Sequence, residues 1–545
     1  MRFPLLLTTV AVAFAQHPTQ QLPADLILHN GRIFTADANM TIAQAVVVRG
    51  EKIVAVGASA ELLKQYKAAQ VIDLQGKFVQ PGFNDIHIHM RGDPPYYVDL
   101  AEVKSIQEIR TKVAAKAKTL PKGAWITGYG WSEDQVEEKR KPNRKDLDKA
   151  APANPVAITR AGGHSSVGNS LALKLAGVDK STPDPERGVI EHDDHGEPTG
   201  VVRERNDVFM KFVPREKPAD LSPSLTLKLK ALLAKGITSI IEANTPLETY
   251  AEWQKIYAAH ATELPRAAVQ IGWPGAEVLR QYGHKTGDGD EHLRLGAIKV
   301  FVDGGFTGPA AYTIEPYKNQ GEYRGKLTRT PEEFYAIFRD AHALGWQLGL
   351  HTIGDGAIKL AADTLARVID ENPRPDHRHY LNHFSMTPPE ETYRKMASHG
   401  IWIAQQPNFT YTLEGRYRDN LDGRRLQLNN PVATPMKFGI FVGLSSDILP
   451  IGPLVGLYAA TTRKGMSGEV YGLEEAIPMA QAIAGYTRNG AYFTREEKAK
   501  GSLEVGKLAD IIVLSQDLLT VDPTKIMQTQ VELTIVGGKV LYKRD

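Results

Sequence analysis

Eight short apolar segments, each a candidate strand, recur between residues 77 and 447 and leave few architectures open. They are Lys77–His89, Gly236–Ala243, Pro265–Gly272, Gly296–Asp303, Trp346–Ile353, His379–Phe384, Gly400–Gln405 and Gly439–Asp447. Helical runs lie between several of them, among these Leu225–Lys235, Pro331–Leu344, Ala357–Asn372 and Glu390–Ser398. Strands alternating with helices force a parallel sheet covered by helices, and eight such repeats close a (β/α)8 barrel. The predicted fold class is therefore α/β, with a TIM-type barrel over residues 79–499. Residues 95–220 break the rhythm with strands of their own, Ala124–Gly128 and Pro155–Arg160, and with many Pro and charged residues. They read as an insertion after the first strand that could cover the barrel mouth.

The two ends of the chain have a different character. Ala24–Phe34 and Ala45–Gly57 are β-branched runs broken by Asn-Gly and Gly-Glu turns, and Asp510–Leu514 and Glu532–Tyr542 resemble them. Such turns suit hairpins, but each group of strands is too small to be stable alone. The ends are expected to pair, making a small β-sandwich domain from residues 22–78 plus 500–545. Before it, Met1-Arg2-Phe3-Pro4, the apolar run Leu5–Phe14 and Ala13-Phe14-Ala15 have the layout of a cleavable signal peptide over residues 1–15. A membrane span needs roughly 18 apolar residues, so this run is too short for an anchor. The expectation is an exported protein, periplasmic or secreted, with no membrane insertion after signal cleavage.

Composition narrows the chemistry. With 65 Lys+Arg against 63 Asp+Glu, the net charge of +2 supplies no field that would gather nucleic acid, which is therefore not an expected partner. The chain has no cysteine, so any metal must sit on His, carboxylates or Lys.

The unusual polar residues fall at the C-terminal ends of the counted strands, where barrel enzymes build their sites. The first strand ends Asp85-Ile86-His87-Ile88-His89, and the period of two points both imidazoles to one side. Lys299 lies in the fourth strand, His351 ends the fifth, His383 the sixth and Asp447 the eighth. A lone His at a strand end is ordinarily hydrogen-bonded or solvent-facing, but six such residues in order around one barrel describe a metal site. One or two divalent ions are expected, zinc first, although His and carboxylate donors also accept Mn, Fe or Co.

The run Val79-Gln80-Pro81-Gly82-Phe83-Asn84-Asp85-Ile86-His87-Ile88-His89, the run His351-Thr352-Ile353-Gly354-Asp355, the Ser445-Ser446-Asp447 strand end and the tail Gly501–Asp510 together resemble the amidohydrolase superfamily. The resemblance is strongest to its amidohydrolase 3 branch, which takes in YtcJ-like proteins and N-substituted formamide deformylases. It covers nearly the whole chain after the leader. It implies that His87, His89 and Asp447 bind one metal, that His351 and His383 bind another, and that a carbamylated Lys299 bridges them. It also implies that His164, in Gly162-Gly163-His164-Ser165, faces the substrate. A buried Lys299 could instead pair with Asp303 or Glu242. Glu242 is then the reserve bridge, and an unmodified Lys299 would leave one metal only.

The expected reaction is metal-assisted hydrolysis of a carbon–nitrogen bond other than a peptide bond, in a small-molecule substrate such as an N-acyl or N-formyl amine. Asp447 is the candidate general base, and His164 and His383 are candidates to stabilise the oxyanion. Trp131 and Phe306 are aromatic candidates for substrate binding, although packing is the better reading of each taken singly. The same site could act on a lactone, cyclic amide, carbamate or aminated ring, and a non-catalytic exported binding protein is the third alternative. The sequence leaves a homo-oligomer open.

Overall fold

The structure, a computed structural model, describes residues 21–545 apart from His164, Arg187, Glu216, Thr307 and Leu449, with the backbone alone at residues 218–220. The leader read over residues 1–15 lies outside the described residues. Eight parallel strands form one sheet in chain order: β1 (Phe83–Ile88), β2 (Ile237–Thr245), β3 (Arg266–Gly272), β4 (Leu293–Phe301), β5 (Leu348–Thr352), β6 (Tyr380–His383), β7 (Trp402–Gln405) and β8 (Val442–Leu444). Each overlaps one of the apolar segments, and the TIM-type barrel expected from them is what the chain forms. No ladder joins β1 to β8 among the described residues. The seam is closed at its C-terminal end by the Asp447 N–H, which donates to the His87 carbonyl at 2.7 Å, and by the Ser446 N–H, which donates to Asp85 Oδ1 at 3.0 Å.

The first apolar segment is not one strand, as the sequence suggested, but two. Phe78–Pro81 pairs with Ile511–Leu514, antiparallel, whereas β1 pairs with β2 inside the barrel. Gly82 makes the change of sheet, and its N–H donates to the Asp510 carbonyl at 3.0 Å. A Cβ there would lie 2.1 Å from Thr238 Oγ1, so only glycine lets β1 approach β2 at this point.

The helices follow from local signals. Helix Pro331–Ala343 opens on a capping box, with Thr330 Oγ1 accepting the Glu333 N–H and Glu333 Oε2 accepting the Thr330 N–H. Helix Asp355–Glu371 buries Ile358, Ala361, Leu365 and Val368, three or four residues apart, against the barrel. The helix expected from Leu225 starts earlier, as Pro218–Ala231, because proline suits a first helical turn.

Two further sheets join the chain ends. One orders Lys52–Gly57, Ala45–Arg49, Leu22–His29 and Tyr66–Asp73, and the other runs from Lys539–Lys543 through Val531–Val536, Ile511–Leu514, Phe78–Pro81 and Arg32–Phe34 to Ile42–Ala43. Leu26, Val46 and Val48 of the first share a hydrophobic cluster with Val79, Val513 and Ile535 of the second. Strands from both ends of the chain thus bury one another. The stretch after β1 forms its own six-stranded sheet, from Tyr97–Asp99 at one edge to Val189–His192 at the other.

At the opposite end of the barrel from the strand tips, β6 springs from a buried chain of histidines. The His379 Nδ1 accepts the Leu348 N–H at 2.9 Å, and its Nε2–H donates to His342 Nδ1 at 2.7 Å. The His342 Nε2–H donates to the Asn372 carbonyl at 2.8 Å. His377 accepts the His379 N–H on Nδ1 at 3.0 Å and donates from Nε2 to the His399 carbonyl at 2.9 Å. Backbone donors and acceptors at every end allow a single proton arrangement, with all three rings neutral. Burial pushes all three down, His377 to about 4, and the charges of Arg374 and Arg495 push His377 and His379 further.

Because the unfolded rings titrate near 6.5, the unfolded chain takes up protons first as the pH falls. The stability carried by these rings is complete above about pH 6.5 and is lost towards pH 4. His377→Asn, which keeps an acceptor near Nδ1 but cannot titrate, is expected to be less stable than the parent at pH 7.5. The gap should then narrow below pH 6.5 at up to roughly 1.4 kcal/mol per pH unit. Denaturant unfolding at pH 7.5, 6 and 5 measures it, and a gap independent of pH would show that the rings do not titrate on unfolding.

Candidate metal centre

Strand register gathers the candidate residues. Phe301 pairs with His351, His351 with Asn382, Thr352 with His383 and His383 with Gln405, so the ends of β4 to β7 arrive level with one another. The rings of His351 and His383 have centroids 4.4 Å apart, those of His87 and His383 4.6 Å, and those of His87 and His89 5.4 Å. Asp447, just beyond β8, closes the circle. Its Oδ1 lies 3.8 Å from His89 Nε2 and its Oδ2 3.9 Å from His383 Nδ1. His87, His383 and Asp447 each offer a ligand atom within 4.8 Å of the other two, a group that could hold a metal ion.

The donor chemistry fits a cation. His87 Nδ1 is hydrogen-bonded to Asn382 Oδ1 at 2.7 Å and His383 Nδ1 to Gln406 Oε1 at 2.8 Å. The Nε2 atoms of both rings are buried with no hydrogen-bond partner, as is Lys299 Nζ. A buried nitrogen lone pair without a donor is costly, whereas a metal ion satisfies it. Burial, reinforced by the Lys299 charge and by neighbouring imidazoles, holds His87, His89 and His383 well below the usual histidine range, so they stand as neutral rings, the form in which imidazole can bind a metal.

Lys299 lies two residues before the C-terminal end of β4, and its Nζ lies 5.1 Å from the Phe301 ring centroid. Burial lowers its affinity for a proton, against the pull of Asp447 and Glu242, and burial raises that of Asp447 against the pull of Lys299. Neither carboxylate considered as a partner for Lys299 takes that part. Glu242, pushed up to about 7 by burial, accepts the N–H groups of Met90 and Asn244 and comes within 4.0 Å of His89 Nδ1. Asp303, also pushed up to about 7 by burial, accepts the N–H of Ile353 at 3.1 Å on Oδ1 and those of Gly354 at 2.8 Å and Tyr312 at 3.0 Å on Oδ2. It thereby fastens the segment after β4 to the turn that follows His351, whose Nε2 lies 3.9 Å away.

Two of these residues have left-handed backbone, His383 with φ 73° and Asp447 with φ 60°, and Phe384 follows at 52°. Non-glycine residues adopt such angles only where the surroundings enforce them, and they concentrate at functional sites.

Other expectations divide. His164 lies outside the described residues. Its neighbour Gly162 donates its N–H to Tyr129 Oη at 3.0 Å, and the Asp447 charge acts on Tyr129, so the insertion reaches the rim. Trp131 and Phe306 are corrected to packing positions. Trp131 is fully buried in the insertion's own core with Val136, Leu147 and Ile158, where a large ring contributes most by leaving water. Phe306 is buried against Tyr417, Ile353 and Phe409, and Phe409 in turn stacks on the His383 ring. The oxyanion role expected of His383 is also withdrawn, since its single N–H is taken by Gln406. Sequence reading passed over Asn382 and Gln406. Their signal was polarity inside the buried runs Tyr380–His383 and Trp402–Gln406. A cavity of about 1030 Å³ opens between the insertion and the loops after β4 and β7, lined by Arg160, Ser165, Pro309, Tyr323, Lys326 and Arg416 among others.

Barrel, strand-end histidines and terminal aspartate together describe a metal-dependent hydrolase fold. The profile of the Amidohydrolase family matches residues 70–542, and the chain belongs to that family. It is similar to YtcJ of Bacillus subtilis (strain 168), with 28% identity over 95% of this chain and 99% of the relative. It is similar to the N-substituted formamide deformylase of Arthrobacter pascens, with 28% identity over 95% of this chain and 98% of that protein. Among solved structures, an uncharacterized metal-dependent hydrolase from Pyrococcus furiosus shares the fold, with TM-score 0.71 and 24% identity over 91% of this chain and 100% of that one.

The Asp303 clamp yields a test. In Asp303→Asn, one carboxylate oxygen becomes an NH2 that faces backbone N–H groups. Stability should fall by roughly 1–3 kcal/mol, and the segment 304–326 should be cut sooner in limited proteolysis. Cleavage of that segment at the parental rate would show that the clamp does not hold it.

Proposed function

We propose that this chain hydrolyses an amide-type carbon–nitrogen bond, in an N-acyl or N-formyl amine, at a metal centre formed at the barrel rim. The observation that carries the reading is the meeting of His87, His383 and Asp447 within 4.8 Å, with two imidazole lone pairs buried and unpartnered. The choice of bond is supported by the similarity to a protein named N-substituted formamide deformylase.

His87, His383 and Asp447 would hold a divalent ion, zinc by preference, with His89, His351 and Lys299 as donors to it or to a second ion. When bound, such an ion supplies Lewis acidity towards a carbonyl oxygen and a water. Lys299, buried and easily deprotonated, is suited to bond its amine nitrogen to the carbon of carbon dioxide with release of a proton, giving a carbamate that could span two ions. Asp447 Oδ1 or Oδ2 accepts the proton of the attacking water and returns it to the departing amine nitrogen. The neutral rings of His87 and His383 keep their Nδ1–H on amide oxygens and take no part in that transfer. His164 is assigned to the substrate from its place in the insertion motif. With residues 1–15 as a leader, the enzyme would work after export.

The test is a panel of N-formyl and N-acyl amines, lactones, cyclic amides and carbamates, offered to purified protein loaded with zinc, alongside elemental analysis. Turnover of the amides is expected, and Asp447→Asn should lower kcat by roughly 10²–10⁴ fold. Turnover confined to lactones or carbamates would refute the choice of bond. Protein that retains no metal would refute the centre.

A further inference from the structure

One residue past β7, Gln406 has no place among the candidate ligands, yet its side chain is fully buried and its orientation is uniquely determined. Its Nε2 donates to the Ala404 carbonyl at 3.2 Å and to Ser445 Oγ at 2.7 Å. The Ser445 hydroxyl proton is already committed to the Gln405 carbonyl at 3.1 Å, so this oxygen can only accept. Turning the amide over would set Gln406 Oε1 against the Ala404 carbonyl, two acceptors face to face. The NH2 group must therefore point to Ala404, and Oε1 must point to His383 Nδ1, 2.8 Å away. It follows that His383 carries its proton on Nδ1, and its buried Nε2 is a bare lone pair with no hydrogen-bond partner.

The adjacent glutamine secures the backbone of the same ligand. Gln405 Nε2 donates to the Phe384 carbonyl at 3.2 Å and to the Pro431 carbonyl at 2.9 Å, while its Oε1 accepts the Gln406 N–H at 2.8 Å. These bonds brace the left-handed turn at His383 and Phe384. A ligand held in an uncommon conformation needs such bracing to stay aimed.

We propose that Gln406 is a positioning residue that fixes the tautomer and direction of His383, so that this histidine presents Nε2 to a metal ion. The inference rests on the metal reading above. It adds that the residue just past β7, itself not a candidate ligand, supplies the group that makes one of the candidate ligands competent.

The experiment uses the full chain and zinc alone. Gln406→Leu removes the acceptor, Gln406→Asn draws the amide back by one methylene, and Gln406→Glu as a neutral acid keeps an acceptor for His383 and a donor for Ala404. Zinc affinity is read by competition with a chromophoric chelator, and the thermal midpoint of each metal-free protein is measured beside it. The expected result is a roughly 10–100-fold loss of zinc affinity in Gln406→Leu, recovery to near the parental value in Gln406→Glu, and closely similar metal-free midpoints. Should the Leu variant fail to fold, the Asn variant takes its place against Glu.

Parental affinity in Gln406→Leu or Gln406→Asn would overturn the inference and leave the metal reading intact. Equal loss in Gln406→Glu would overturn it as well, since an acceptor would then be present without effect. A parent chain that binds no zinc would overturn both.

Discussion

Unsatisfied nitrogen inside a protein is the constraint around which this barrel is arranged. His87 Nε2, His383 Nε2 and Lys299 Nζ are all withdrawn from water without a hydrogen-bond partner. Each represents a penalty of a few kcal/mol that a merely structural core would have removed by substitution. The surrounding residues instead preserve it. Asn382 and Gln406 engage the far side of two rings, Phe409 stacks on one of them, and the strained angles at His383 and Asp447 are held in place. The exposed nitrogen face is thus maintained from behind.

The rim is as much a product of tethers as of strands. β1 and β8 share no ladder, and the Asp85 carboxylate and the His87 carbonyl accept backbone amides from Ser446 and Asp447 instead. The residues that close the barrel are therefore the residues beside the candidate ligands. Asp303 plays the same part between the ends of β4 and β5 by gathering three backbone amides. In both places a buried carboxylate accepts backbone amides from a segment just beyond a neighbouring strand's end and does what sheet pairing would do elsewhere.

Much of this was legible in the chain. Period-two alternation in Asp85–His89 and the order of polar strand ends were enough to bring His87, His89, His351, His383 and Asp447 to one rim, because strand ends in a parallel barrel share a side. The split of Lys77–His89 into two strands was not legible, since apolar residues continue on both sides of Gly82 and nothing within the run marks the change of partner from Ile511–Leu514 to β2. Aromatic side chains were ambiguous for a related reason. Trp131 and Phe306 carry no sign of whether their surroundings are a cleft or a core, and both proved to be core. Asn382 and Gln406 were missed because a polar residue at the end of a strand does not reveal which neighbour it will hydrogen-bond.

The exchange of sheets at Gly82 links the strand that carries His87 to one that follows the barrel in sequence. Phe78–Pro81 pairs on one side with the nearby Arg32–Phe34 and on the other with Ile511–Leu514, which is made only after the whole barrel. Contacts so distant in sequence form slowly and late. The segment that leads into His87 is thus held on its second side only once Ile511–Leu514 has been made, so maturation of the rim is coupled to a strand beyond the barrel rather than to the emergence of the barrel alone.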